Sequence, residues 1–407
     1  MSRDANSPAS VSGNRDGKQA GAAVNTADGW LLDDFAVGDV FFTSPTLQHR
    51  ACGAAGVVSA HVPVSSTAIS SLFNEARSRG VQEPVLFGLV PFDTRRPASL
   101  GIPLQTQSAA VPEQKARSRR QSEAPVIVER KPVPAPEVYG DMVRSALEVF
   151  AQGEVNKIVL SRTMDVTLDK PLDYGHVLPD LLGRNAQGYT FALPIWTSEG
   201  ADTQGVMVGA SPELLVRREG PHIYVNPLAG SIGRHSDPET DEARRAGLAV
   251  SEKDLREHGY VVEDIVRILR EHCDELDVPD GPSVIGTDAL WHLSTFITGR
   301  LRDPGMTALE LACALHPTPA ICGYPTAGAF EQINRLEPFD RGYFTGLVGW
   351  QRENGDGEWA LTLRCALHDG ATRLRLYAGA GTVAGSDPQS EITETATKME
   401  TFMRAIA

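Results

Sequence analysis

Lys157 stands in the run VNKIVLSR, residues 155–162, among Val155, Ile158, Val159 and Leu160. Its β-branched and aliphatic neighbours read as a strand. Alternation puts the lysine on the face of Val155 and Val159. An ammonium held against apolar neighbours is costly unless it has a partner or chemistry to do. Near the C-terminus, Glu391, Glu394 and Lys398 recur three and then four residues apart, which on a helix is one face. The stretch AGAGTVAGSDP, residues 378–388, precedes them. It reads as a Gly-rich loop whose backbone N–H groups can approach a ligand closely. Pro388 suits the first turn of a helix, and a helix N-terminus favours a carboxylate or phosphate. The same spacing also suits a solvated face carrying a Glu394–Lys398 ion pair.

Four further residues could do chemistry. Glu257 borders an apolar helical stripe and has Asp254 one turn earlier. Hard oxygen ligands from this helix and the last one would suit Mg²⁺, which takes one or two carboxylates and keeps waters or substrate oxygens. Glu213 follows the turn GASP and opens the run LLV, a setting for either a proton donor of raised pKa or an edge-strand charge. Arg364, embedded in LTLRCAL, either pairs structurally or holds an anionic group through two hydrogen bonds. His292 in LWHLSTF reads more readily as a satisfied core histidine than as a catalytic one.

The elements that must position these residues alternate along the chain. MVRSALEVFAQG predicts a helix ending at Gly153. KIVLSRTMDVTL predicts a strand, GVMVGASPELLVRREG a strand, a Ser-Pro turn and a strand, and HIYVNPLAGSIGR a strand followed by a small-residue loop. SEKDLREHGYVVEDIVRILREHC is a helix with a capping-box-like start at Ser251 and Asp254 and a stripe of Val261, Val262, Ile265, Ile268 and Leu269. YFTGLVGWQ, WALTLRCAL and LRLYAG are strands, and 388–407 is a final helix. Interleaved helices and hairpin-like strand pairs give an α/β or α+β architecture rather than a doubly wound sheet.

The 407 residues are 41% hydrophobic and 22% charged, with a formal net charge of −14. That balance argues against a nucleic-acid or anionic-membrane surface. Cys52, Cys273, Cys313, Cys322 and Cys365 contain no CxxC pair, so neither a zinc site nor a disulfide framework is expected. Residues 1–28 carry no hydrophobic pattern and are expected to form a disordered tail. Residues 105–136 are Pro-rich, with basic Lys115, Arg117, Arg119 and Arg120, and read as a flexible connector. No Walker loop, HExxH or GxSxG motif is present. No apolar run is long enough to span a membrane, and a cytoplasmic protein is expected.

KIVLSR, GASPELLV, NPLAGS, SEKDLREH, LWHLST, LHPTPAICG, GLVGW, LRCA and AGAGTVAGSDPQSEITETATKM occur in this order. Together they resemble the chorismate-utilising enzymes, and among them isochorismate synthases of the kind that opens 2,3-dihydroxybenzoate siderophore pathways. The resemblance is dense from about residue 140 onward and looser over 30–104. It implies one α/β domain over 29–407, in parts 29–104, 105–136 and 137–407. Its fold would be two large mixed β-sheets packed together with helices outside. It implies Mg²⁺, chorismate as substrate and a monomer. Lys157 matches the base that activates water for attack at C2 of the ring, and Glu213 the acid that protonates the departing C4 hydroxyl. Glu257 and Glu394 match the metal ligands, with Glu391 a further carboxylate there. Lys398 and the backbone of Gly379, Ala380 and Gly381 match contacts to the ring carboxylate, and Gly230 and Ser231 another part of that pocket. Arg364 matches the arginine that holds the enolpyruvyl carboxylate, and His292 a residue lining the ring.

Departures within the family narrow the reading. Ammonia-using relatives typically carry glutamine where this chain has Lys157, and aminodeoxychorismate synthase carries lysine where it has Ala229. Salicylate synthases tend to carry threonine at the position of Ala320 and tyrosine at that of Phe344. These departures favour water as nucleophile and isochorismate as product. With Lys157, Glu213, Glu257 and Glu394 all present, a non-catalytic binding protein is disfavoured.

Overall fold

In the strand Val85–Val90, Val85, Phe87 and Leu89 join one apolar cluster while Leu86 and Val90 join another. Phe41 and Phe42 divide in the same way. Strands apolar on both faces must be covered on both faces, and the architecture follows from that demand. The computed structural model describes residues 29–33, 35–113, 123–197, 203–287 and 289–406. Among them, strands form a sheet of ten, a sheet of nine and a small sheet of three. Phe42, Phe191, Phe87 and Val348 meet between the two large sheets. Helices Tyr174–Arg184 and Pro388–Ile406 cover the outside of the ten-stranded sheet with Val177, Leu181, Phe402 and Ile406. Helices Ser66–Ser78, Glu252–His272 and Ala308–Leu315 contribute to the apolar layer outside the nine-stranded sheet. Val261, Ile265 and Leu269 form the buried stripe of the second of these, each contributing about 1.5–3 kcal/mol by leaving water.

The expected sandwich with helices outside is present, with corrections. The ladders are antiparallel throughout, where mixed sheets were expected. Leu228–Gly233, expected as a loop, is a strand of the three-stranded sheet. The supposed loop at 378–383 is the end of the strand Arg373–Val383, and a true turn follows only at Ala384–Gly385. Small residues suit that strand because the space above it is occupied. A Cβ on Gly381 would lie 2.6 Å from Glu257 Oε1. The run 359–367 is two strands, Gly357–Leu361 and Cys365–His368, broken where Arg364 takes φ 48°. The Pro-rich stretch read as a connector supplies the strands Thr106–Ala110 and Ile127–Val133 to the ten-stranded sheet. The basic patch at 115–120 and the tail at 1–28 lie outside the described residues.

Candidate active site

The strand Lys157–Leu168 pairs along its length with Arg373–Val383. The next strand over, Cys365–His368, stops pairing at Leu376. From Tyr377 onward that edge of Arg373–Val383 therefore faces open space. A cavity of about 130 Å³ occupies it. Of the residues singled out above, Glu213, Gly230, Ser231, Glu257, His292, Ala320, Phe344, Arg364, Gly379, Gly381, Glu394 and Lys398 line it. Lys157, Ala380 and Glu391 do not. Lys157 lies just behind the wall, its Nζ 2.8 Å from Glu257 Oε1. Ala380 is buried within the strand, and Glu391 is buried one turn before Glu394.

Lys157 is 0% exposed. The contact with Glu257 is an ion pair without hydrogen-bond alignment, so the ammonium makes no hydrogen bond. Its position comes from the ladder, where Lys157 lies opposite Val383 and Tyr324. Glu213 enters from the nine-stranded sheet, one residue before the strand Leu214–Glu219. Burial pushes its carboxyl up to about 8, against the opposing pull of the Leu228 N–H at 3.3 Å and of Lys157, Lys398 and Arg364. The acid is thus held protonated at neutral pH. Arg364 is brought down to about 10 by burial, partly offset by Glu394 and Glu213.

The last helix brings Glu394 and Lys398 together at 2.6 Å, and Lys398 Nζ also donates to the Gly379 carbonyl at 2.9 Å. Burial alone would raise Glu394; Lys398, Lys253 and Arg364 outweigh it and hold the carboxylate below its ordinary value. His292 Nδ1 meets Ser231 Oγ at 2.6 Å, while its Nε2 is buried without a partner. Burial, with Arg364 and Lys398, holds this imidazole well below its ordinary pKa, in the neutral form. Gly230 takes φ 74°, and a Cβ there would lie 3.0 Å from Asp254 Cβ. Only glycine lets this strand and the helix start at Ser251 come so close.

Asp254, Glu257, Glu391 and Glu394 form an acidic cluster on two helices. Asp254 is raised by burial and by the charges of Glu257 and Glu394. Glu391 is raised to about 7 by burial and Glu394. Such mutual repulsion is what a divalent cation relieves. All the donors are hard oxygens. Among the described residues no three His, Cys, Asp or Glu converge into a complete metal site.

Sequence reasoning passed over Lys253, Thr345 and Tyr377, all of which line the cavity. Lys253 was legible as a neighbour of Asp254. Thr345 was not, because its φ of 57° leaves no trace in residue type. Asp254 was noticed as a companion of Glu257 and as part of the helix start. Its side chain accepts a hydrogen bond from the Ser251 hydroxyl at 2.5 Å, so the start at Ser251 is only half of a capping box.

Residues 72–407 match the family model described as chorismate binding enzyme. The chain is 43% identical over 384 residues to the isochorismate synthase DhbC of Bacillus subtilis, covering 92% of this chain and 95% of that protein. It is 42% identical over 338 residues to the isochorismate synthase EntC of Escherichia coli K12, covering 82% and 84%. The crystal structure of DhbC from Bacillus anthracis superposes with a TM-score of 0.83 at 41% identity, over 92% of this chain and 98% of that one. On this likeness, which runs through both large sheets and every wall of the cavity, the chain belongs to the chorismate-binding enzyme family.

Proposed function

We propose that this protein is an isochorismate synthase that converts chorismate reversibly to isochorismate, with Lys157 as base and Glu213 as acid. Lys157 takes a proton from a water molecule whose oxygen bonds to C2 of the ring. The ring double bonds shift, the C4–oxygen bond breaks, and Glu213 delivers its proton so that the hydroxyl leaves as water. Arg364 holds the enolpyruvyl carboxylate through its guanidinium fork. Lys398 and the strand edge at Gly379–Gly381 receive the ring carboxylate. His292, neutral and fixed by Ser231, lines the ring. Glu257 and Glu394, with Glu391 behind them, would hold Mg²⁺, which when bound supplies a Lewis acid that orients the ring carboxylate. Lys398 and Arg364, both lining the cavity, explain how a chain of net charge −14 accepts a dianion.

The observation that carries the reading is a protonated buried carboxyl in the cavity wall with a buried lysine behind that wall, near enough to act on its charge. These groups are suited to opposite halves of one proton exchange. Relatives described as isochorismate synthases, one of them 2,3-dihydroxybenzoate-specific, support a place ahead of a 2,3-dihydroxybenzoate siderophore. A cytoplasmic monomer is part of the same proposal. No helix among the described residues is long and apolar enough to cross a membrane. The test is product analysis by liquid chromatography with mass detection, using chorismate and Mg²⁺ with and without ammonium. An isomer of chorismate formed without ammonium is expected. Salicylate with pyruvate, or an aminated product, would contradict the reading.

A further inference from the structure

Two non-glycine residues among those described have positive φ, Thr345 at 57° and Arg364 at 48°. Both line the cavity. For a β-branched residue this conformation is a marked outlier, and it persists only where the surroundings hold it. At Thr345 the holding group is Arg341, 3% exposed. Arg341 Nη1 donates to Thr345 Oγ1 at 3.2 Å and to the Ile321 carbonyl at 3.0 Å. Nη2 donates to the Val159 carbonyl at 2.6 Å and to Glu337 Oε1 at 2.5 Å, and Nε to Glu337 Oε2 at 2.8 Å. Glu337 Oε1 in turn accepts the Ser161 N–H at 2.8 Å. On the far side, the Thr345 N–H donates to the Thr362 carbonyl at 2.9 Å and the Thr362 N–H to the Gly346 carbonyl at 2.8 Å. Arg364 lies two residues further on.

One buried ion pair thus ties the strand of Lys157, at Val159 and Ser161, to the loop of Arg364. Apolar side chains of the same volume would fill this space without the desolvation cost, but they would not fix two backbone segments and the Thr345 hydroxyl at once. Neither Arg341 nor Glu337 lines the cavity.

We propose that Arg341 and Glu337 are positioning residues for the reaction, setting the span between Lys157 and Arg364 through the strained Thr345. The inference rests on the roles given above to Lys157 and Arg364. The brace aligns the base with the ring that Arg364 anchors, so its loss acts on the chemical step more than on binding.

The test compares Glu337→Gln, Arg341→Lys and Thr345→Gly with the parent. Chorismate affinity is read by calorimetry with Mg²⁺, kcat by steady-state rates and stability by thermal melts. Affinity is expected to stay within about threefold while kcat falls about tenfold or more, the scale of a small misalignment. Thr345→Gly is expected to melt at or above the parent, because glycine takes positive φ without strain, and still to lose kcat. A residue with a merely structural role would not combine these. Retention of kcat by Thr345→Gly to within about twofold would overturn the inference. So would a loss in the other two variants that only follows their folded fraction. If those two fail to fold, Thr345→Gly decides alone. Should the parent form a different chorismate product, the proposed function fails while the variants still test the brace on that product.

Discussion

The two walls of the cavity are built in opposite ways. The wall that carries Lys157, Gly379 and Gly381 is regular: Lys157–Leu168 and Arg373–Val383 stay in one register from Lys157↔Val383 to Thr167↔Arg373 without a shift. The wall that carries Glu213, Gly230 and His292 is irregular. Register shifts after Leu214 against both neighbouring strands, and again between Ala229 and Ser231. Bulges re-aim side chains and bend strands. Lys157 is therefore set by repetition of a ladder, and Glu213 by departures from one. A regular wall can bury a lysine deeply because the strand that carries it is paired on both sides there, with Tyr324 and with Val383. The irregular wall lets a carboxyl turn inward with one N–H for a partner, which leaves it protonated.

The largest effect is expected from emptying the regular wall. Lys157→Ala should lower kcat by about 10³-fold, within the range of general-base catalysis, while calorimetry still detects chorismate binding. Near-parental turnover would remove Lys157 from the mechanism. Emptying the irregular wall should cost somewhat less. Glu213→Gln is expected to lower kcat by about 10²-fold and to change the pH profile. In the proposed mechanism Glu213 acts in its protonated form, and burial pushes its carboxyl up to about 8. Parental kcat/KM should therefore fall as pH rises through about 8, and this falling limb should vanish in the glutamine variant. A limb that survives the substitution would belong to another group.

Two further variants sharpen the contrast between the walls. Glu394→Ala should move the Mg²⁺ titration to higher concentration and lower activity by roughly 10- to 100-fold at fixed metal, the scale seen when metal-site partners are lost. An unchanged titration would place the ion elsewhere. Gly381→Ala tests how tightly the regular wall fits. Its added Cβ would meet Glu257 Oε1 at 2.6 Å and Lys157 Cε at 3.3 Å. A loss of about tenfold in kcat/KM is expected, with little change in melting temperature. Parental rates would mean that Glu257 is free to move aside.

The same contrast explains what the sequence disclosed. Lys157 was legible because a charge inside an aliphatic run breaks a period-two pattern, and regular strands have patterns to break. The helices at Glu252–His272 and Pro388–Ile406 were legible from their stripes and from Ser251 and Pro388 at their starts. The irregular wall was not. Leu228–Gly233 has too little alternation to announce a strand, and the break at Arg364 depends on a backbone angle. Gly379 and Gly381 suggested a loop because glycine usually does, whereas here Gly379 clears space for Ser161 and Gly381 for Lys157 and Glu257. The order of the motifs, rather than any single one, pointed to chorismate chemistry. The Arg341–Glu337 pair was invisible because ionic residues four apart usually mark an exposed helix face.

The central claim is that Lys157 and Glu213 exchange one oxygen for another across the ring. The most direct measurement is turnover of unlabelled chorismate with Mg²⁺ in ¹⁸O-water, followed by mass analysis of the isomeric product. The account predicts one ¹⁸O per isochorismate, in the new C2 hydroxyl. A product without label would mean that the hydroxyl migrates within the molecule, and the roles given to Lys157 and Glu213 would both be wrong.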